Sequence, residues 1–276
     1  MTSAERAALP GVDARRADLL PAGALLVMTV LDLTGLVEFV GCEWALREGM
    51  VLDAIRRHTR AEWSGEPRAM RRESVLGLCR RCGWNEPHAT KVSRLALALF
   101  DGTAALHRLG AEDRELLELG ALVHDIGEHV AVEGHERHTA YLVENGRLRG
   151  FSPEETAVLA CLGRFHKRGS PKASFEPFGR LSSAGRDRVT ALVALLQVAD
   201  ALDRSHGGPV RDIEVYTSPD LVEVVVHADE DIDLELWGLR RKRGLFERVF
   251  GCRLEVVDAQ LAFPLEQPEQ VAAESG

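Results

Sequence analysis

Hydrophobic residues recur at helical spacing through the long middle of this chain, from about residue 68 to residue 206. Helix start and stop signals follow one another there, and no strand signal interrupts them. Ser152-Pro153-Glu154-Glu155, for example, is a capping box with proline at the first helical position. The predicted helices cover residues 68–81, 85–107, 112–125, 152–167 and 185–204. The pattern therefore predicts a mainly α domain over residues 68–206.

The hydrophobic period changes after residue 206. Short β-branched runs at 213–215 and 221–227 predict two strands, and Ser218-Pro219-Asp220 between them predicts a hairpin. Residues 233–250 return to helical spacing, and residues 253–257 predict a last strand. We therefore expect a small α+β cap of ββαβ order over residues 207–258, followed by a disordered tail over residues 259–276.

The first 60 residues predict a helix, a strand and a second helix, at 19–35, 36–42 and 43–58. This fragment is too small to form a hydrophobic core of its own, so it must pack against another part of the protein. Ser64, Gly65 and Pro67 make residues 62–67 a predicted linker to the helical domain.

The distribution of charge favours a phosphorylated small molecule over duplex nucleic acid as the ligand. The net charge is -9, whereas duplex binding depends on Lys and Arg that neutralise phosphates. Residues 56–94 nevertheless hold ten Arg and Lys against four Glu. That region would attract a phosphorylated molecule.

No membrane span or secretory signal is predicted. The longest apolar stretch, residues 22–30, is well short of the ~20 residues that cross a bilayer, and the N-terminus has no basic start followed by an apolar run. The five cysteines are odd in number and scattered, as in a reduced compartment. We therefore expect a cytoplasmic protein without membrane contact.

Four residues on three predicted helices make a candidate metal site. The dipeptide His124-Asp125 ends an apolar helix, His88 lies in the first turn of another, and Asp200 lies near the end of a third. A carboxylate among aliphatic positions is costly to bury unless it is paired or bound to a cation. Taken alone, the dipeptide could reflect only the preference of histidine for a helix C-terminus, where the macrodipole favours it. His88 and Asp200 could likewise form an ordinary buried ion pair.

The proposed donor set contains imidazole nitrogens and carboxylate oxygens. Such a shell suits Mn²⁺, Fe²⁺ or Mg²⁺ better than an ion that prefers thiolates. Four protein ligands also leave room for water and a phosphate oxygen, as in metal-assisted phosphoester hydrolysis.

The order His88, His124-Asp125, Asp200 resembles the H...HD...D pattern of the HD phosphohydrolase superfamily. The flanking segments are similar to one branch of it, the exopolyphosphatase/guanosine pentaphosphatase family, over about residues 17–258. These segments are Leu122-Val-His-Asp-Ile-Gly, Gly134-His-Glu-Arg-His-Thr-Ala-Tyr-Leu, Arg164-Phe-His-Lys-Arg, Val198-Ala-Asp-Ala-Leu-Asp-Arg and Leu245-Phe-Glu-Arg-Val-Phe-Gly. The resemblance implies that residues 1–60 are the end of an actin-like phosphatase domain, residues 68–206 an HD-type helical domain and residues 207–258 its cap.

The resemblance also implies further site residues. His138 and His166 are candidates for a second metal or for the cavity wall, whereas His129 and His135 are expected to be solvated loop histidines. His166, Lys167 and Arg168 are the candidate catalytic residues, which would stabilise charge on the leaving phosphate. A predicted phosphate clamp contains Arg164, Lys167, Arg168, Lys172 and Arg204. The alternative is a solvated helix end whose cations complement the helix dipole.

Two functions remain open from the sequence. The first is a metal-dependent phosphohydrolase that acts on a nucleotide, an alarmone or polyphosphate. The second is a non-catalytic module that binds polyphosphate or an alarmone, because the resemblance places the catalytic loops of the exopolyphosphatase reaction in actin-like halves upstream of this region. A homodimer or a partner phosphatase subunit is compatible with either.

Overall fold

The structure is a computed structural model that describes residues 1–38, 47, 49–50 and 67–259. The chain divides into two compact units, residues 1–63 and residues 64–276. Most of the predicted strand at 36–42, helix at 43–58 and linker at 62–67 lies outside the described residues, as does the predicted tail after residue 259. Among the described residues, no helix has the length and apolar character that a membrane span requires.

The first unit contains helix α1 (Ser3–Ala7), a 3-10 turn (Ala14–Arg16) and helix α2 (Leu20–Thr34). The residue after α2 is Gly35, whose φ of 69° is the left-handed conformation that glycine adopts at little cost. The predicted helix at 19–35 and its glycine stop are confirmed.

The second unit begins with a succession of helices. They are α3 (Pro67–Arg81), α4 (Glu86–Gly102), α5 (Ala104–His107), α6 (Ala111–Val123), a 3-10 turn (Ile126–His129), α7 (His135–Asn145), α8 (Pro153–Phe165), α9 (Glu176–Gly179) and α10 (Ser183–Ala201). The mainly helical character predicted for this stretch is confirmed. The capping box at Ser152 is also confirmed, because its hydroxyl accepts from the Glu155 N–H and the Glu155 carboxylate accepts from the Ser152 N–H.

The prediction of one helix through residue 107 is wrong. Helix α4 ends at Gly102 and the short α5 follows Thr103, whose hydroxyl donates to the Leu99 carbonyl at 2.7 Å. A Cβ atom at Gly102 would lie 2.5 Å from Cβ of Val215, so the close approach of the β-sheet occurs where α4 ends. This tertiary contact has no counterpart in the local pattern of residues 85–107.

Helix α10 is the centre of the second unit. Every residue from Ala191 to Ala201 is buried, and α10 packs against α4, α6 and α8 and against helix α11 (Asp233–Phe250). The sequence predicted one apolar stripe on this helix, but its C-terminal half is covered on all sides. Asp200 lies in that half, so its carboxylate is carried into the interior.

The predicted ββαβ order is present after α10. Strand β1 (Val210–Thr217) pairs antiparallel with β2 (Leu221–Ala228), and β3 (Arg253–Asp258) pairs parallel with β2 on its other side. The connection from β2 to β3 is α11, which packs on α10. The small sheet therefore holds α11 beside the end of α10 that carries Asp200.

Gly127 lies where the 3-10 turn contacts α7. A Cβ atom there would lie 2.1 Å from the His135 carbonyl oxygen and 2.5 Å from the Thr139 nitrogen. The Thr139 hydroxyl accepts from the Gly127 N–H and donates to the His124 carbonyl, each at 2.9 Å. This close packing fixes the chain directly after His124-Asp125.

Replacing Gly127 by alanine should lower the free energy of unfolding by about 1 to 3 kcal/mol, because the added methyl group has no space. Urea denaturation measures this. The control is Gly77→Ala in α3, where the nearest atom to the new Cβ is 4.0 Å away and alanine should stabilise the helix slightly. Equal stability of Gly127→Ala and the wild type would contradict the packing described.

Candidate metal centre

The helices bring His88, His124 and Asp200 together. His88 lies in the first turn of α4, where the Asn85 side chain caps the helix by accepting from the His88 N–H. Nε2 of His88 lies 3.2 Å from Nε2 of His124. Asp200 Oδ1 lies 3.8 Å and 3.6 Å from these two nitrogens.

Asp125 lies against the same group of side chains. Its Oδ2 is 3.5 Å from Nε2 of His88 and 3.4 Å from Nε2 of His124. Because helix α6 ends at Val123, the chain turns there, and adjacent residues His124 and Asp125 both face the centre. The structure thus places the four predicted metal residues in one cluster.

The other oxygen of Asp125 faces a second pair of histidines. Oδ1 lies 3.1 Å from Nε2 of His135 and 3.0 Å from Nε2 of His166. The two imidazole nitrogens are 3.1 Å apart. One carboxylate therefore lies between two imidazole pairs, with one oxygen directed to each.

Each of the four imidazoles is oriented by an oxygen at its Nδ1. Carbonyl oxygens of Ala121, Val132 and Gly163 lie 2.7 to 2.9 Å from Nδ1 of His124, His135 and His166 respectively. For His88 the partner is Asp203 Oδ2, at 2.7 Å. Carbonyls and carboxylates accept hydrogen bonds, so each Nδ1 carries the proton and leaves the Nε2 lone pair facing the centre.

These orientations fit divalent cations. Two Nε2 lone pairs that face each other at about 3 Å repel unless a proton or a metal ion lies between them. Asp125 Oδ1 is buried and has no hydrogen-bond partner in the described part of the chain. In that part, His88, His124 and Asp200 form one group with ligand atoms within 4.8 Å of one another, and Asp125, His135 and His166 form another. His88 and Asp125 also form a third such group with His206.

The electrostatics of the cluster favour positive charge. Burial acts to lower the pKa of His124, but the adjacent carboxylates of Asp125 and Asp200 outweigh it and raise that pKa to about 10. Burial likewise acts to raise the pKa of Asp125, but the surrounding imidazoles hold it well below its usual range. Metal ions that bind here must therefore displace protons.

Three residues of the cluster were not identified from the sequence, and one of them is His206, whose ring stacks on that of His88 with the centroids 3.7 Å apart. Asp203 orients His88, and its position three residues after Asp200, just past the end of α10, was a usable signal. Lys242 of α11 pairs with Asp200 Oδ2. No local pattern indicated Lys242, because only tertiary packing brings α11 to the end of α10.

His129 and His135 were both predicted to be solvated loop histidines, and the structure agrees for one of them only. His135 is buried, with 6% exposure, and the expectation that it is solvated is wrong. Gly134, with a φ of 73°, precedes α7 and places His135 in the first helical turn. His138, one turn later, is half-buried and belongs to none of the ligand groups in the described part of the chain. His129 is exposed, as expected.

The residues of the predicted phosphate clamp differ in their surroundings. Lys167, Arg168 and Lys172 are exposed. Arg164 pairs with Glu136 at 3.6 Å, and the Arg204 guanidinium lies over the Trp237 ring at 4.9 Å. His166 is buried with its Nε2 against Asp125, a position that favours a metal ligand over a group on the leaving phosphate.

Comparison with known proteins identifies the family of the chain. The model of Ppx/GppA phosphatase, domain III, matches residues 70–235, which is more than half of the chain. The chain belongs to the Ppx/GppA phosphatase family. A second family model, described as Ppx/GppA phosphatase family, matches residues 1–58.

One curated relative is guanosine-5'-triphosphate,3'-diphosphate pyrophosphatase of Aeromonas hydrophila. It is 24% identical over 192 residues, which is 69% of this chain. The match spans only 37% of that relative.

Metal analysis of purified variants tests the shared role of Asp125. If each histidine pair holds one ion, Asp125→Ala should lose both ions, whereas His135→Ala should lose one of two, because the carboxylate of Asp125 directs one oxygen to each pair. His138→Ala is the control on the same helix and should retain both. Inductively coupled plasma mass spectrometry gives the number of ions per chain. Loss of the same number of ions in Asp125→Ala and His135→Ala would contradict the shared role.

Proposed function

We propose that this chain is a metal-dependent phosphohydrolase of the HD type with two divalent ions. The first ion would be held by His88, His124, Asp125 and Asp200. The second would be held by Asp125, His135 and His166. The observation that carries the proposal is the position of Asp125, whose two carboxylate oxygens face different histidine pairs.

The donor set supports the choice of metal. It combines four imidazoles with aspartates and contains no thiolate, which favours Mn²⁺, Fe²⁺ or Mg²⁺. The order of His88, His124-Asp125 and Asp200 along the chain supports the HD type, as does their convergence from three helices. On this proposal, residues 1–60 are the end of an actin-like domain, and residues 68–206 and 207–258 are the helical domain and its cap.

Divalent ions held by these residues would polarise a phosphoryl oxygen and would lower the pKa of water, so that water could act as a nucleophile near neutral pH. The protein contributes a rigid frame. Asp203 fixes the His88 ring, and backbone carbonyls fix the other three rings, so the ligand atoms need no rearrangement. The Asp125 and Asp200 side chains keep 13% and 12% exposure, which leaves one side accessible to a small substrate.

The proposed substrate is a phosphoester or phosphoanhydride of a nucleotide, a guanosine alarmone or polyphosphate. The name of the Aeromonas relative supports the alarmone. The exposed cations Lys167 and Arg168 follow His166 directly, and we assign them to charge neutralisation on the phosphate. On this proposal His166 acts as a ligand.

Hydrolysis assays with guanosine pentaphosphate, short polyphosphates and nucleotides, with added Mn²⁺ or Mg²⁺, test the function. The wild type should release phosphate or pyrophosphate only with metal, and His124→Ala should be inactive. The Lys167→Met/Arg168→Met double variant should keep its metal and turn over about 10- to 100-fold more slowly, because it loses charge-assisted contacts to the phosphate.

The control is Arg180→Met, which removes an exposed cation paired with Glu176 instead. It should retain full activity. Tight binding of one of these compounds, with no hydrolysis under either metal, would contradict the enzyme and support the alternative of a regulatory binding module.

A further inference from the structure

Lys242 is the contribution of the cap to the metal centre. It lies on α11, and its ammonium group pairs with Oδ2 of Asp200. The Lys242 side chain is only 9% exposed. Asp200 therefore directs one oxygen to the imidazoles and the other to a nearly buried lysine.

The packing of α11 fixes this lysine in place. The Glu235 carboxylate accepts from the Ser205 N–H at 3.0 Å, just after the end of α10. The Arg204 side chain lies against Gly238, where a Cβ atom would be 2.7 Å from Arg204 Cδ. Phe246, one turn after Lys242, is fully buried. The ammonium is thus positioned by the fold, as a preorganised group must be.

The Lys242 ammonium group has more N–H donors than it has acceptors among the described residues. A lysine ammonium carries three N–H donors, and in the described part of the chain its one hydrogen-bond acceptor is Asp200 Oδ2. Leaving charged donors without acceptors in a nearly buried position is costly. An oxygen of a bound phosphate would satisfy them.

The net charge of the centre with two divalent ions bound indicates how Lys242 would affect the binding of phosphate and metal. Asp125, Asp200 and Asp203 would cancel three of the four positive charges that two divalent ions bring, and Lys242 restores one. The excess is then about two positive charges, which matches a phosphate dianion. Because Lys242 and a metal ion share the carboxylate of Asp200, the lysine also repels that ion.

We propose that Lys242 adapts this centre to phosphate by sharing Asp200, so that it strengthens phosphate binding and weakens metal binding. The inference rests on the proposed metal centre. It gives the cap a direct role at the site, through a binding residue that donates to the phosphate. The two effects have opposite signs, which a purely structural lysine would not produce.

Isothermal titration calorimetry separates the two effects. Mn²⁺ is titrated into the metal-free protein, and inorganic phosphate is then titrated into the Mn²⁺-loaded protein. Lys242→Met should bind Mn²⁺ about tenfold more tightly, since the competing cation is gone. It should bind phosphate about 10- to 100-fold more weakly, since the charged donor is gone. Lys242→Arg keeps the charge and should resemble the wild type in Mn²⁺ affinity.

The matched control is Arg240→Met, which removes a positive charge from an exposed position of the same helix. Both affinities should stay within about twofold of the wild type. Thermal unfolding adds a readout if the metal-free Lys242→Met variant is unstable. Mn²⁺ should then raise its melting temperature by more than it raises that of the wild type.

Weakening of both affinities in Lys242→Met would overturn the inference, because a lysine that only supports the fold gives that result. Unchanged phosphate affinity would overturn it as well. Failure of the wild type to bind Mn²⁺ would instead refute the proposed metal centre itself, and the inference with it. Tighter Mn²⁺ binding together with weaker phosphate binding supports it.

Discussion

Three carboxylates and five imidazoles share one small volume beside the end of helix α10, and the rest of the site depends on how their charge is balanced. Asp125, with one oxygen toward each histidine pair, is the common member. Burial makes an unpaired carboxylate costly. The protein compensates with imidazoles oriented by backbone carbonyls and with an ammonium group from the cap.

The fold serves this arrangement. Helix α10 is covered on all sides, so Asp200 is carried into the interior, and the tight turn at Gly127 sets the direction of the chain after His124-Asp125. The three-stranded sheet holds α11 against α10. The cap therefore contributes a charged group to the cluster through Lys242, in addition to the surface it covers.

Much of this could be predicted from the sequence. Periodicity and capping signals identified α3, α4, α6, α8 and α10 but missed α7, the helix that carries His135. The change of period identified the hairpin, α11 and β3. His88, His124, Asp125 and Asp200 were identified because a costly buried aspartate accompanied an HD dipeptide. What the sequence could not predict depends on tertiary contacts: Lys242, the break of α4 against Val215, and the burial of His135. The metal roles, the HD type and the domain boundaries stay predictions.

Electron paramagnetic resonance of the Mn²⁺-loaded protein tests the central claim most directly. On the proposed assignment, two ions that shared the carboxylate of Asp125 would be close enough for their electron spins to couple. We expect a spectrum of coupled Mn²⁺ ions at full loading, which Asp125→Asn abolishes and His138→Asn leaves intact. The six-line spectrum of isolated Mn²⁺ at full loading, or coupling that survives in Asp125→Asn, would contradict the account.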